Sequence, residues 1–507
     1  MTTPLMPWLN ERASGALLHP LSLHGTPGCG VLGPAVRDFL EFLREAEMTY
    51  WQVLPLGPTG YGDSPYQCFS AFAGNPYLID TDPLVENGLL RGDELRPLQG
   101  LSHGKVDYGA LYRIKWPLLR LAWRRFKASG RAYLPNYGRF ADFCEERKEW
   151  LEPYAAFMAA KDHFGGRFWG EWPAEARSYE AFRKSSLFDK LEDARLAHAF
   201  IQYLFFGQWN LVRKMANELG IQIIGDAPIF VSLDSADVWA RPDLFLLNDK
   251  GAPELVAGVP PDYFSLEGQL WGNPLYDWDA AEKEGYRWWI ERLRANFEFY
   301  DVVRLDHFRG FYDYWAIPAG ATSAKAGAWR MGPGLKLFEA VKAALPDARL
   351  IAEDLGEIGP EVRAFRDETG LPGMVILQFA FDGKGGDNLY LPHNHLRNAV
   401  VYPGTHDNNT TIGWYEAASS DVTDHVRRYY RISGEDIAWD FIRSAYRSVA
   451  NLAIIPMQDL MSLDGQSRMN TPGSALGNWS WRMSRENFHW QRGATPYLRE
   501  LAWLYDR

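Results

Sequence analysis

The sequence predicts a (β/α)8 barrel. Short apolar segments recur along the 507 residues, each bounded by Gly, Pro or Asp, and longer segments with helical spacing of apolar positions lie between several of them. This alternation is typical of repeated βα units with parallel strands. A chain of this length also has room for one large barrel with insertions.

Eight segments have the length and composition of strands. They are residues 17–23, 49–54, 221–224, 302–305, 349–352, 374–380, 399–402 and 453–457. Amphipathic helices are predicted at 36–47, 194–219, 280–297, 335–344 and 434–450. Since eight βα units close into a barrel, we expect residues 1–507 to form a single barrel.

Two segments are too long for simple connections between strands. Residues 56–200 lie between the second and third predicted strands, and their aromatic helical patterns predict a mostly helical inserted subdomain over the C-terminal face of the barrel. A smaller insertion, with a loop at the barrel mouth, is predicted at 245–280. A short helix at 497–504 follows the last strand, and no C-terminal β-sandwich domain fits.

Charge and composition exclude several classes of protein. With 53 Lys and Arg against 64 Asp and Glu, the net charge is −11, so no basic stripe is available for nucleic acid or an anionic membrane surface. We found no apolar run long enough for a membrane helix and no signal peptide, which predicts a cytoplasmic protein. Cys29, Cys68 and Cys144 suit neither a zinc ribbon nor a disulfide framework and are expected to be reduced.

Aromatic residues make up 15% of the chain and include 21 tryptophans. Two interpretations stay open at this point. Aromatic faces bind the apolar faces of sugar rings, and large aromatic side chains also fill large cores.

Charged residues occupy the end of the predicted strand 302–305. Arg304 and Asp306 are two positions apart, so they share one face of the strand, and the guanidinium would keep the carboxylate ionised as a nucleophile requires. A buried ion pair with a purely structural role is the alternative. The strand 349–352 likewise ends in carboxylates, but its pattern does not decide whether Glu353 or Asp354 faces inward.

Two further predicted strands end in acidic residues. Asp226 closes the third strand, and His406 and Asp407 follow the strand 399–402. An isolated His-Asp pair is weak support for a metal, so no metal site is predicted, and a polar turn is the alternative. Carboxylates on successive strand ends are what retaining glycoside chemistry requires, with one attacking the anomeric carbon and another protonating the leaving oxygen.

These strand ends and the sequence motifs around them resemble the amylomaltase branch of the α-amylase clan, glycoside hydrolase family 77. The resemblance covers most of the chain. It is carried by GPTGYGDSPYQ at 57–67, FAGNPY at 72–77, GDAPIFV at 225–231, GVPPD at 258–262, QLWGNP at 269–274, RLDHFRG at 304–310, EDLG at 353–356 and GTHDN at 404–408.

The resemblance implies a retaining 4-α-glucanotransferase that acts on α-1,4-glucans and maltooligosaccharides without a cofactor. It implies Asp306 as nucleophile, Glu353 rather than Asp354 as general acid/base, and Asp407 as the carboxylate that stabilises the transition state. The substrate-binding residues that it implies are Ser64, Tyr66, Asp226, Gln269, Trp271, Arg304, Phe379 and His406. Tyr61 and Tyr108 are implied as a second, non-catalytic glucan contact.

The sequence departs from the family pattern at Asn409, where Asp is more frequent, in the first loop at 24–32, and at Ser480. These departures bear on chain-length preference and outer subsites. A retaining α-glucan hydrolase with the same carboxylates is the closest alternative function, and a non-catalytic carbohydrate-binding protein on the same barrel is another. The oligomeric state is not predicted.

Overall fold

Eight parallel strands form the central sheet of the protein. The computed structural model describes residues 4–60, 62–261, 267–356, 358–382, 385–474 and 476–507. The strands are β1 (Ala13–Leu17), β2 (Tyr50–Gln52), β3 (Gln222–Ala227), β4 (Val302–Leu305), β5 (Leu350–Ala352), β6 (Gly373–Ile376), β7 (Ala399–Tyr402) and β8 (Leu452–Pro456). Their hydrogen-bonded order is β5-β4-β3-β2-β1-β8-β7-β6, which follows the chain around a (β/α)8 barrel and confirms the predicted fold class.

The seam of the barrel lies between β5 and β6, the two ends of this order. The backbone N–H of Ala352 donates a hydrogen bond to the carbonyl of Pro372 at 2.9 Å. Beside it, the carboxylate of Asp354 accepts a hydrogen bond from the N–H of Met374 at 2.8 Å and forms an ion pair with Arg366 at 2.5 Å. A side chain thus completes the pairing that strand ladders provide elsewhere in the barrel.

The prediction for the first strand was wrong in position. The strand is Ala13–Leu17 rather than 17–23, and Pro20–Ser22 form a 3-10 helix. Pro20 has no N–H to donate to a ladder. The true strand has a glycine where its neighbour lies close: a Cβ on Gly15 would lie 2.3 Å from the carbonyl oxygen of Tyr50.

Helices surround the barrel and fill the long insertion. The α-helices are Pro34–Glu45, Asp82–Glu86, Arg96–Gln99, Tyr108–Ala128, Phe140–Glu146, Lys148–His163, Tyr179–Arg183, Ser186–Lys190, Glu192–Glu218, Ala236–Ala240, Trp278–Lys283, Arg287–Phe299, Leu335–Ala344, Pro360–Thr369, Thr411–Ala417, Ser420–Tyr430, Ile437–Arg447, Met457–Leu460, Arg485–Arg492 and Thr495–Tyr505. In the long insertion, Glu192–Glu218 packs against Tyr108–Ala128 and Lys148–His163.

Two other predicted elements differ from the structure by more than a shift of their ends, whereas the remaining predicted strands and helices agree to within about three residues at each end. The predicted helix 280–297 is two helices, since Gly285 and Tyr286 between them have φ values of 68° and 56°, and a left-handed residue ends an α-helix. The predicted strand 374–380 ends at Ile376 and continues as a 3-10 helix, Leu377–Ala380.

The region of the second insertion contributes strands. A four-stranded antiparallel sheet has the order Ala328–Met331, Asp313–Pro318, Leu255–Val259, Gln269–Pro274. Its last two strands lie within 245–280, and its first two follow β4, so the chain after β3 and the chain after β4 fold together. The long insertion also holds a short hairpin of Tyr133–Leu134 and Gly138–Arg139.

Much of the aromatic content fills the core. Trp51, Trp172, Trp209 and Trp239 are completely buried. The three cysteines are free. Within the described ranges, no helix is long and apolar enough to cross a membrane, and no cluster of three or more His, Cys, Asp or Glu side chains could hold a metal ion.

Candidate active site

Arg304 joins the ends of β3 and β4 through two carboxylates. It lies in β4 and is 3% exposed. Its Nη1 donates hydrogen bonds to both carboxylate oxygens of Asp226, at 2.8 and 2.6 Å, and to Oδ1 of Asp306 at 3.1 Å. Asp306 reaches the same guanidinium because residues two apart on an extended chain share a face. Arg304 thus holds Asp226 and Asp306 together at the mouth of the barrel.

Glu353 follows β5 and is held by two backbone donors. Its Oε2 accepts a hydrogen bond from the N–H of His307 at 2.6 Å, and its Oε1 accepts one from the N–H of Leu355 at 2.9 Å. Since His307 is the residue after Asp306, the two carboxylates belong to adjacent segments. Asp354 is directed to the barrel seam, so the structure places Glu353 and not Asp354 beside Asp306.

His307 has a left-handed backbone, with φ of 50°. A non-glycine residue in this region costs on the order of 1 kcal/mol, and such residues persist where neighbouring contacts hold them. Here the N–H is bonded to Glu353, and the imidazole packs edge-on against Trp271 with 4.9 Å between ring centroids. The geometry at the turn after Asp306 is therefore imposed by the site.

Burial and charge separate the proton affinities of the two adjacent carboxyl groups. Burial raises the pKa of Glu353 to about 8, with Asp306 adding to the rise and Arg304 opposing it. Burial raises the pKa of Asp306 to about 6, and Arg304 again opposes the rise. Near neutral pH the pair carries its negative charge on Asp306 and its proton on Glu353, which is the division that an acid and a nucleophile need.

Asp407 is held from the segment after β8. Nδ2 of Asn470 donates a hydrogen bond to Oδ1 of Asp407 at 2.6 Å. The guanidinium of Arg468 donates to the backbone carbonyl of Asp407 at 2.7 Å. On its other side, Oδ2 lies 3.4 Å from Nε2 of His406. The third carboxylate is thus oriented by the amide of Asn470.

Tyr66 connects Asp226 to His406. A carboxylate accepts hydrogen bonds, so the Tyr66 hydroxyl donates to Oδ2 of Asp226 at 2.8 Å. Nε2 of His406 lies 2.8 Å from the same hydroxyl oxygen and must therefore be its donor. Burial lowers the pKa of His406, which favours a neutral imidazole with its proton on Nε2. The Tyr66 and His406 rings also stack, with centroids 5.3 Å apart.

The remaining residues predicted to bind substrate lie on three segments. Gln269 and Trp271 belong to the strand Gln269–Pro274, and Nε1 of Trp271 donates to Oε1 of Gln269 at 3.1 Å. Oγ of Ser64 accepts a hydrogen bond from the N–H of Tyr66 at 3.2 Å. Phe379 lies in the 3-10 helix that follows β6 and packs edge-on against Tyr390. The contact between Trp271 and His307 brings the first of these segments to the carboxylates.

The predicted second glucan contact is described only in part. Tyr61 lies outside the described residues. Tyr108 is 8% exposed, and its hydroxyl donates to the carbonyl of Trp479 at 3.0 Å. The Tyr108 hydroxyl is used within the fold, and a glucan contact at this pair stays a prediction from the resemblance.

Asn470 and Trp479 were missed in the sequence. Asn470 lies 63 residues after Asp407 and not at the end of a strand. The positions of the two residues in the sequence therefore do not indicate that they are in contact. Trp479 has a left-handed φ of 62°, and its ring lies 5.7 Å from that of Tyr66 and 6.0 Å from that of His406. Nothing in the sequence around Trp479 indicates that its indole packs on the two rings.

Comparison with known proteins shows to which family the chain belongs. The sequence model of a family described as 4-alpha-glucanotransferase, glycoside hydrolase family 77, matches residues 18–487. The chain is 50% identical to the 4-alpha-glucanotransferase of Thermus thermophilus over 504 residues, covering 98% of this chain and 99% of the relative. It is 47% identical to that of Streptococcus pneumoniae, with 98% of both chains covered.

Solved structures show the same relationship. The amylomaltase from Streptococcus agalactiae in complex with acarbose superimposes with a TM-score of 0.93 at 40% identity, covering 98% of this chain and 100% of that one. The amylomaltase from Corynebacterium glutamicum shares the fold at 18% identity, with a TM-score of 0.74 over 97% of this chain and 75% of that one. The chain therefore belongs to the 4-alpha-glucanotransferase family, glycoside hydrolase family 77.

Proposed function

We propose that this protein transfers α-1,4-glucan segments from a donor to the 4-hydroxyl of an acceptor glucan or glucose by a retaining double displacement. Asp306 is the nucleophile, Glu353 the general acid and base, and Asp407 the carboxylate that stabilises the oxocarbenium-like transition state. The observation that carries the proposal is the division of the negative charge and the proton between Asp306 and Glu353. Asp306 is bonded to Arg304, whereas the more basic Glu353 is bonded to the backbone N–H of the residue next to Asp306.

In the first step, Glu353 protonates the glycosidic oxygen while Asp306 attacks the anomeric carbon. The bond to the leaving sugar breaks, its oxygen takes the proton, and the donor sugar becomes esterified to Asp306. Arg304 favours the ionised form of Asp306 before the attack and stays paired with Asp226 after the charge of Asp306 is consumed.

In the second step, the ionised Glu353 takes the proton of the acceptor 4-hydroxyl, which attacks the anomeric carbon and releases Asp306. Two inversions restore the α configuration. Water in place of the acceptor would give hydrolysis, so the reaction class depends on how well the acceptor is positioned.

The other residues of the site orient the sugar. We propose that Tyr66, Asp226, Arg304 and His406 contact the ring at which cleavage occurs. Ser64, Gln269, Trp271 and Phe379 line the path of the glucan on either side. The network from Asp226 through Tyr66 to His406 supports this assignment, because it fixes three of these side chains relative to Asp306 before substrate binds.

Incubation of the purified protein with maltotriose tests the proposal. Free glucose, total reducing ends and the lengths of the products are followed together. Transfer releases glucose and produces longer maltooligosaccharides at a constant number of reducing ends. A rise in reducing ends with only shorter products would instead establish a hydrolase, and unchanged maltotriose would contradict both.

A further inference from the structure

An amide pair joins the two segments that flank the candidate active site. Nε2 of Gln67 donates a hydrogen bond to Oδ1 of Asn273 at 2.9 Å, and Nδ2 of Asn273 lies 3.4 Å from Oε1 of Gln67. Gln67 follows Tyr66 directly, and Asn273 lies two residues after Trp271 on the strand Gln269–Pro274. The pair therefore connects the segment that contacts Asp226 and His406 with the segment that contacts His307.

The connection is built on a buried side chain. Asn273 is 5% exposed, and its Nδ2 also donates to the carbonyl of Val231 at 2.9 Å. Oδ1 of this buried amide receives its hydrogen bond from Gln67. Leaving a buried acceptor without a donor is costly, so the pair has one strongly preferred arrangement.

Each segment has other attachments that do not depend on the pair. Tyr66 is anchored to Asp226 through its hydroxyl. Beyond Gln67, the carbonyl of Phe69 accepts a hydrogen bond from the N–H of Ala236, and the N–H of Ala71 donates to Asp237 at 2.8 Å. The strand that carries Trp271 is paired with Leu255–Val259. Loss of the amide pair should therefore leave Tyr66 in place and the fold intact, while the strand that carries Trp271 is no longer fixed relative to Tyr66.

We propose that Gln67 and Asn273 are positioning residues that set the ratio of glucan transfer to hydrolysis. The inference rests on the proposed function, in which Tyr66 contacts the donor sugar and Trp271 lines the glucan path. The pair fixes the distance between the Tyr66 segment and the strand that carries Trp271, so that an acceptor bound along Trp271 presents its 4-hydroxyl to the glucosyl-enzyme.

The physical reason is that the rate of attack by a sugar acceptor depends strongly on where the acceptor is held, whereas the rate of attack by water does not. An acceptor gains its advantage from being held in an attack geometry, and a displacement of about 1 Å can cost roughly 100-fold in rate. Water does not bind along Trp271, so the rate of its attack changes little when the strand that carries Trp271 shifts. Loosening the pair therefore slows transfer more than hydrolysis.

Gln67→Leu and Gln67→Glu test the proposal, with Asn273→Leu and the double variant completing a cycle. Gln67→Glu keeps the shape of Gln67 but replaces the donor to Oδ1 with a second acceptor. The fraction of cleaved bonds that yield a new reducing end is measured on maltotriose. We expect this fraction to rise about tenfold in both Gln67 variants, and the double variant to match the single ones because the two side chains act through each other.

This fraction does not depend on how much of the protein is folded, so simple destabilisation leaves it unchanged. Gln222→Leu is the matched control: Gln222 is also half-buried, and its Oε1 accepts a hydrogen bond from Arg349 at the opposite end of the barrel. An unchanged fraction in the Gln67 variants, with transfer by the native chain intact, would overturn the inference. Absence of transfer in the native chain would instead overturn the proposed function.

Discussion

The backbone N–H of His307 donates a hydrogen bond of 2.6 Å to Oε2 of Glu353. Because His307 directly follows Asp306, this bond links the proposed acid/base to the segment that carries the proposed nucleophile. The link requires the left-handed backbone of His307, whose φ is 50°. The relative position of the two carboxylates is thus determined by main-chain geometry and not by flexible side chains alone.

Activity should follow a bell-shaped pH profile with limbs near pH 6 and pH 8. Burial raises the pKa of Asp306 to about 6, and the nucleophile must be ionised, so activity is lost as the pH falls through that value. Burial raises the pKa of Glu353 to about 8, and the acid must be protonated, so activity is lost as the pH rises through it. The measurement is kcat/KM on maltotriose over the pH range in which the protein stays folded. A profile still flat at pH 9 would contradict the assignment of Glu353.

Asp306→Ala should reduce kcat by roughly 10⁴-fold or more, because loss of a nucleophile removes the covalent route. Asp306→Asn keeps the size of the side chain and should be equally impaired. Disproportionation of maltotriose measures both, and circular dichroism confirms the fold. Transfer at native rates in either variant would exclude the double displacement through Asp306.

Glu353→Gln should impair activity, whereas Asp354→Asn should impair stability. Glu353→Gln should abolish transfer from maltotriose but retain attack on a maltosyl fluoride, because fluoride leaves without a proton. The maltosyl-enzyme should then accumulate, because no base activates the acceptor, and be visible by mass spectrometry. If the fluoride is no better a donor than maltotriose, Glu353 is not the acid.

Asp354→Asn should keep kcat and lower the free energy of unfolding by roughly 3 kcal/mol, since it breaks a buried pair with Arg366. Asp367→Asn is the matched control. It removes a carboxylate from the same arginine but at a side chain that is 66% exposed, where the cost should be under about 1 kcal/mol. Equal destabilisation by the two variants would contradict a role of Asp354 at the seam.

Asn470→Ala should lower kcat by up to about 100-fold while leaving the unfolding midpoint nearly unchanged, because the amide orients Asp407 through a 2.6 Å hydrogen bond. The control is Asn398→Ala, whose amide donates to the carbonyl of Gly370 at the opposite end of the barrel. Initial transfer rates and thermal unfolding separate the two cases. An equal loss of rate in both variants would show that Asn470 acts through stability.

The strand ends were predictable because the period of an extended chain is local. Residues two apart share a face, so Arg304 and Asp306 could be paired from the sequence, and the structure joins them at 3.1 Å. The strand 302–305, the strand 399–402 and the helix 335–344 were confirmed with the same bounds.

What the sequence did not reveal depends on contacts that are distant along the chain. The strand Ala13–Leu17 was missed because it contains few large apolar residues, and the close approach of Tyr50 that requires a glycine at Gly15 is not visible in a hydrophobicity pattern. The choice between Glu353 and Asp354 could not come from period alone, since both follow β5. It is decided by the N–H groups of His307, in the turn after β4, and of Met374, in β6.

Local unfolding should be easier at the barrel seam than between the other strands of the barrel. Between β5 and β6, the N–H of Met374 is protected by the carboxylate of Asp354 in place of a main-chain carbonyl. Opening there needs a side chain to swing away, whereas opening between laddered strands requires several main-chain bonds to break together. Glu353 lies at this edge, one residue before Asp354, whereas Asp306 follows the well-paired β4. Amide hydrogen exchange should therefore be faster at Met374 than in β4. Opening at the seam should leave the acid/base beside the nucleophile, because the backbone N–H and carbonyl of Glu353 are both bonded to the chain of β4 and the turn after it.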